Sequence, residues 1–268
     1  MNPHAAQQPP PQTPITGIRH ILAVGSGKGG VGKTTVSVNL ALALANSGHQ
    51  VGLLDADVYG PNVPTMLGVQ EQPTGSNDQI MPIQKHGLKV MSMGFLSPGD
   101  KPLIWRGPML HSVIQQFLRK VVWGILDYLI IDLPPGTGDV QLSLLQTTAL
   151  SGGIIVTTPS AVSLEDARKA ILMFQQLRVP VLGIVENMSG GAFGSGGGKK
   201  TAEAFHVPFL GALALNPAVC EGGDTGQPVA IRGESDGFAL PFYDLARTVV
   251  NRVEAEGGPK GPTVVVTD

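Results

Sequence analysis

The sequence predicts an α/β fold built on a doubly wound, mostly parallel sheet, and three observations predict it. Short apolar runs such as "RHILAVGS", "QVGLLDAD", "YLIIDLPPG" and "GGIIVTTPS" alternate with amphipathic stretches, the pattern of strands buried on both faces by crossover helices. A glycine-rich stretch, "GSGKGGVGKTT" from Gly25 to Thr35, separates the first apolar run from the first amphipathic one. Two further apolar runs end in aspartates, Asp55 and Asp132, where open α/β sheets collect ligand-binding groups.

The first fourteen residues carry a proline run and neither the basic start nor the apolar stretch of a signal peptide, so residues 1–16 are expected to form a disordered tail. The glycine-rich stretch then matches G-x-x-x-x-G-K-[ST] through Gly27, Gly32, Lys33 and Thr34, in the strand-to-helix context that the pattern requires. Such a loop turns backbone N–H groups toward phosphate oxygens, so Gly27 to Thr35, with Gly29, Gly30 and Val31 between, are the expected phosphate binders. Lys33 is expected on the β/γ-phosphates of ATP and the Thr34 hydroxyl on Mg²⁺. A P-loop NTPase domain of Rossmann-like architecture is therefore expected over residues 17–255.

Gly48 sits where the first helix should end. In "LLDADVYGPN", Asp55 and Asp57 stand two apart and face one side if the chain is extended. Two β-rich runs meet at His86-Gly87, predicting a hairpin inserted beside the parallel strands, with Met81, Met91 and Met93 as packing residues. Asp132 precedes a Gly/Pro-rich turn, "LPPGTGD", the expected form of a metal-side carboxylate followed by a phosphate sensor. Ser163 and Asp166 resemble a capping pair opening the helix "LEDARKAILMFQQL". "GSGGGKK" is expected to begin a helix running through "TAEAFH", and residues 256–268 to form a flexible tail in which "TVVVT" is a possible edge strand.

Composition narrows the partners. With 18 Lys+Arg against 20 Asp+Glu the formal charge is -2, which suggests neither nucleic acid nor an anionic membrane as a partner. The longest apolar candidate, "VVWGILDYLIIDLPPG", is interrupted by Asp127 and Asp132. One cysteine excludes an internal disulfide framework and fits a reducing, cytoplasmic setting.

The motifs "KGGVGKTT", "LDADVYGPN", "WRGPM" from Trp105 to Met109, "IIDLPPGTGD", "VTTPS" and "GIVENM", in this order, resemble the Mrp/ApbC family of iron-sulfur cluster carrier ATPases. That family belongs to the deviant Walker A group with MinD, ParA and the nitrogenase iron protein. The resemblance implies ATP hydrolysis in a homodimer, with the early lysine, Lys28, reaching the partner's nucleotide. It implies that Asp57, in a first switch loop, positions the attacking water, Asp55 acts on Mg²⁺ from behind its ligands, Asp132 is the Walker B carboxylate, and Pro135 to Gly138 form a second switch. Asn187 would read the adenine edge, and apo iron-sulfur proteins would be the clients.

The family's cluster chemistry uses a Cys-x-x-Cys pair just beyond "ENMS". Here the stretch reads "ENMSGGAFGSGGGKK", without cysteine. A [4Fe–4S] cluster takes four thiolates. This chain has only Cys220, which is expected to be a buried or half-buried small residue, and its histidines lack metal-ligand spacing. Cys220 is thus the one weak candidate ligand. The competing expectations are a MinD/ParA-like nucleotide-switched positioning ATPase and a scaffold that has lost cluster binding.

Overall fold

The computed structural model describes residues 14–76, 78–96 and 107–256. The expected tails lie almost wholly outside these residues, as do Trp105 and Arg106 of "WRGPM". The chain opens with β1 (Ile18–Gly25), α1 (Lys33–Asn46), β2 (Val51–Asp55) and a single turn, α2 (Val63–Met66). A small antiparallel pair follows, β3 (Thr74–Ser76) with β4 (Gln79–Met81), then β5 (Ile83–Lys85) and β6 (Leu88–Ser92). The remainder alternates: α3 (Gly107–Arg119), β7 (Leu126–Asp132), α4 (Asp139–Thr147), β8 (Gly152–Thr157), α5 (Ala161–Gln176), β9 (Val181–Ser189), α6 (Gly197–Ala204), β10 (Phe209–Ala214), α7 (Pro217–Asp224) and α8 (Leu240–Ala255).

Eight strands form the main sheet in the order β10-β9-β8-β1-β7-β2-β6-β5. All neighbours pair parallel except the edge strand β5, which pairs antiparallel with β6. The expected doubly wound sheet is therefore present. Its central strands are apolar without alternation because both faces are covered: Leu22, Leu53, Ile130 and Ile154 are all fully buried. Right-handed crossovers to the two sides of β1 place α1 and α8 together on one face and α3, α4, α5 and α6 on the other.

The His86-Gly87 turn is where the sequence places it, both residues having positive φ (49° and 78°), as a two-residue hairpin turn requires. The hairpin is more than an appendage, since β6 continues the parallel sheet beside β2. Of the three methionines, Met91 and Met93 are buried and Met81 is exposed. The cap of α5 is Ser160, whose side chain accepts from the Ser163 N–H; Ser163 lies inside the helix. The expected Ser163/Asp166 pair is thus displaced by one turn, because two serines three residues apart both suit a helix start.

Candidate functional site

The strand order reverses around β1, and the loop Ser26–Gly32 emerges at that crevice. Gly32 adopts a left-handed conformation (φ 78°) and leads directly into α1, with no side-chain cap. That leaves the first N–H groups of a fourteen-residue helix open toward the loop. Gly27 is required for a different reason. A Cβ there would stand 2.0 Å from the Asp166 carbonyl oxygen, so the loop rests directly on the backbone of α5.

Lys33 and Asp132 meet beneath this loop. The Lys33 Nζ lies 2.8 Å from Asp132 Oδ2, and the Thr34 hydroxyl donates to the same oxygen at 2.8 Å. Lys33 Nζ also lies 3.3 Å from Thr34 Oγ1. The other carboxylate oxygen accepts from Ser37 Oγ at 2.6 Å. Asp132 is fully buried, so these donors replace the water it has lost. A cation thus already stands between the Thr34 hydroxyl and the Asp132 carboxylate, two hard oxygen donors of the kind Mg²⁺ prefers.

Asp55 faces Asp132 across the β2–β7 register. Its oxygens accept from Ser92 Oγ (2.9 Å) and the Val63 N–H (3.2 Å) on one side and from the Asp57 N–H (3.1 Å) on the other. Burial, then the neighbouring Asp132 charge, push its pKa up to about 8. It is not among the residues that line the crevice, and its bond to the Asp57 N–H ties it to one that is. Asp57 is on the wall itself. Its Oδ1 accepts from the N–H groups of Tyr59 and Gly60, an Asx turn that fixes the first switch loop.

The wall encloses an open cleft of about 440 Å³, lined by Lys28 to Thr35, Asp57, Pro135 and, from α2 and α7, Met66 and Cys220. Lys28 makes no ion pair among the described residues. Across the crevice the Gly136 N–H donates to the Ser26 carbonyl, tying the second switch to the phosphate loop. Asn187 ends up under the loop. Its Nδ2 donates to the Val31 carbonyl at 2.9 Å and occupies the place a Gly32 Cβ would need, 2.2 Å away. That amide nitrogen is therefore committed to holding the loop.

Cys220 corrects the expectation of burial: it is exposed. The cause lies two residues on, where Gly222 and Gly223 give α7 its packing face against Gln227 and Met66, turning Cys220 outward to the cleft. Among the described residues no cluster of three His, Cys, Asp or Glu is arranged to hold a metal ion. Where a Cys-x-x-Cys pair would stand, a short turn from Gly190 to Gly196 leads into α6.

Sequence reasoning missed four polar residues here. Ser37 stands one helical turn beyond Lys33, on the same face, and that spacing is a usable signal. Ser92, Gln141 and Glu186 carry no local signal. Fully buried Glu186 accepts from Ser189 Oγ (2.7 Å) and from the N–H groups of Gly196 (2.9 Å) and Gly198 (2.6 Å), so the anion at the "GSGGG" turn is the chain's own carboxylate.

The family model described as ParA, NUBPL iron-transfer P-loop NTPase, matches residues 17–250. The chain is 49% identical over 260 residues to the iron-sulfur cluster carrier protein of Synechocystis sp., covering 91% of this chain and 74% of that protein. It is 50% identical over 254 residues to the protein of the same description from Deinococcus radiodurans, covering 90% and 72%. Among solved structures, the nucleotide-binding protein of Archaeoglobus fulgidus in complex with ADP is similar at 33% identity and TM-score 0.63, over 92% of this chain and 95% of that one. The cell division ATPase MinD of Pyrococcus furiosus is similar at 25% identity and TM-score 0.69, over 87% and 99%.

Proposed function

Because the chain belongs to the NUBPL iron-transfer P-loop NTPase family, we propose that it is an ATP-hydrolysing carrier that delivers iron-sulfur clusters to apoproteins. The observation that carries the nucleotide half is the buried Lys33–Thr34–Asp132 arrangement under an open phosphate loop. Thr34 and Asp132 would hold Mg²⁺, which neutralises phosphate charge when bound. Lys33, released from Asp132, turns to the β/γ-phosphates. Asp57 orients the attacking water through the oxygen its Asx turn leaves over. Lys28, which has no ion pair among the described residues, completes the site from a second subunit, and Asn187 supports the loop while its Oδ1 is left for adenine.

Replacing Lys33 with alanine tests this directly: phosphate release from ATP should fall to background. Hydrolysis surviving in Lys33→Ala would overturn the assignment.

The cargo has to be held without the Cys-x-x-Cys pair. Two subunits supply two thiolates, both Cys220, in clefts beside the nucleotide, and the remaining ligands fall to the delivering or receiving protein. After anaerobic reconstitution with glutathione to fill the remaining ligand positions, iron and acid-labile sulfide should appear in the wild-type protein and vanish in Cys220→Ser. Their absence from both proteins would leave a nucleotide switch of the MinD/ParA kind, working without a cluster.

A further inference from the structure

Gln141 is almost wholly buried (1% exposed) on α4, just beyond the second switch, and only half of its amide is satisfied. Its Nε2 donates back to the Pro134 carbonyl, while Oε1 has no hydrogen-bond partner among the described residues. A buried acceptor left unmade is costly, so this arrangement holds only if something else favours it.

The position of Gln141 supplies the missing donor. With Gly138 as the N-cap of α4, Asp139, Val140 and Gln141 are the first three helical residues. A glutamine at the third helical position is the one whose carbonyl oxygen reaches back to the N-cap N–H in a capping box. Gly138 has no side chain to cap the helix, and its own N–H makes no hydrogen bond among the described residues. The side chain therefore has two stations: the Pro134 carbonyl through Nε2, or the Gly138 N–H through Oε1. The two ends of the switch segment compete for it.

Building on the ATPase reading, we propose that Gln141 is a positioning residue of the second switch, tethering Pro134 in the resting protein and moving to the Gly138 N–H when nucleotide draws the segment in. The trigger is adjacent. Gly136 at the centre of the segment donates to the Ser26 carbonyl, and a phosphate oxygen is the stronger acceptor for that N–H. Losing the Ser26 bond frees the segment, and capping α4 stabilises its new position.

The test uses the full chain with Gln141→Leu, which keeps bulk but removes donor and acceptor, and Gln141→Glu, which keeps only the acceptor. In Gln141→Leu, kcat for ATP should fall about fivefold or more, the size of one lost capping interaction, with KM within about twofold. Gln141→Glu should recover kcat to within about twofold of wild type, a carboxylate being favoured at a helix N-terminus. Unchanged kcat in Gln141→Leu, or equal losses in both variants that follow their melting temperatures, would overturn the proposal. Amide hydrogen exchange on the nucleotide-free proteins keeps the question separate from hydrolysis. Gly136 should exchange faster in both variants, and Gly138 should be protected in Gln141→Glu alone. Indistinguishable exchange at both amides would also overturn it, whereas a wild type that releases no phosphate would defeat only the ATPase reading.

Discussion

At the scale of single residues, the interior holds its polar groups in two different ways. Beneath the phosphate loop the buried Asp132 carboxyl has its lost water replaced by Lys33, Thr34 and Ser37, which all donate to it. At His20 on β1 there is no such compensation. The ring is buried against Tyr128, centroids 5.4 Å apart, and its Nδ1 lacks a hydrogen-bond partner among the described residues. Burial, reinforced by Arg19, holds its pKa below the ordinary 6.5, while Asp127 and Glu254 pull weakly the other way. The unfolded chain therefore takes up the proton first as pH falls. Stability that is complete above the ordinary value is lost as pH drops from there toward the folded value. Replacing His20 with phenylalanine keeps the stacking and removes the titration. Urea midpoints at pH ~7.5 and ~5.5 should then differ less in His20→Phe than in wild type. An equal or larger difference in the variant would contradict the assignment.

At the scale of elements, β9 links two glycine-rich loops. Consecutive residues on a strand point to opposite faces, so Asn187 reaches the Val31 carbonyl while Glu186 gathers the turn that opens α6. Glu186→Ala would leave the buried Gly198 N–H, the half-buried Gly196 N–H and the Ser189 hydroxyl without their acceptor, a loss on the order of 3 kcal/mol. Denaturant titration measures it, and a loss under ~1 kcal/mol would mean that water replaces the carboxylate. This link also shows what could be read beforehand. The phosphate loop, Asp57 and Asp132 were legible because each sits in a contiguous motif whose spacing alone implies a strand followed by a turn. Glu186 and Ser92 were not, because their roles are set by partners that only the sheet order brings near: Ser92 meets Asp55 by lying beside it in the β2–β6 register. Cys220 was misjudged for the same reason, as nothing local says that Gly222 and Gly223 form the packing face of α7.

At the scale of the whole molecule, the cleft is built from one side only. The loop, the first switch with Asp57, Pro135 of the second switch and α7 with Cys220 all border an open space, and Lys28 lines it with no ion pair among the described residues. A lysine so placed stabilises transferred phosphate charge best when a second molecule excludes water around it, as a cation supplied in trans does in other phosphoryl-transfer enzymes. The exposed Tyr59, whose N–H donates to Asp57, adds apolar surface for such a contact. With a non-hydrolysable ATP analogue, sedimentation should therefore show a dimer in the wild type and a monomer in Lys28→Ala. Analogue binding by the Lys28→Ala monomer should stay within about threefold of wild type, because Lys33 and the backbone N–H groups still hold the phosphates. Its hydrolysis should fall by about 10³-fold, the lower end for a missing trans cation. If Lys28→Ala instead loses nucleotide binding as completely as Lys33→Ala does, Lys28 serves its own subunit's phosphates and has no part in closing two copies together.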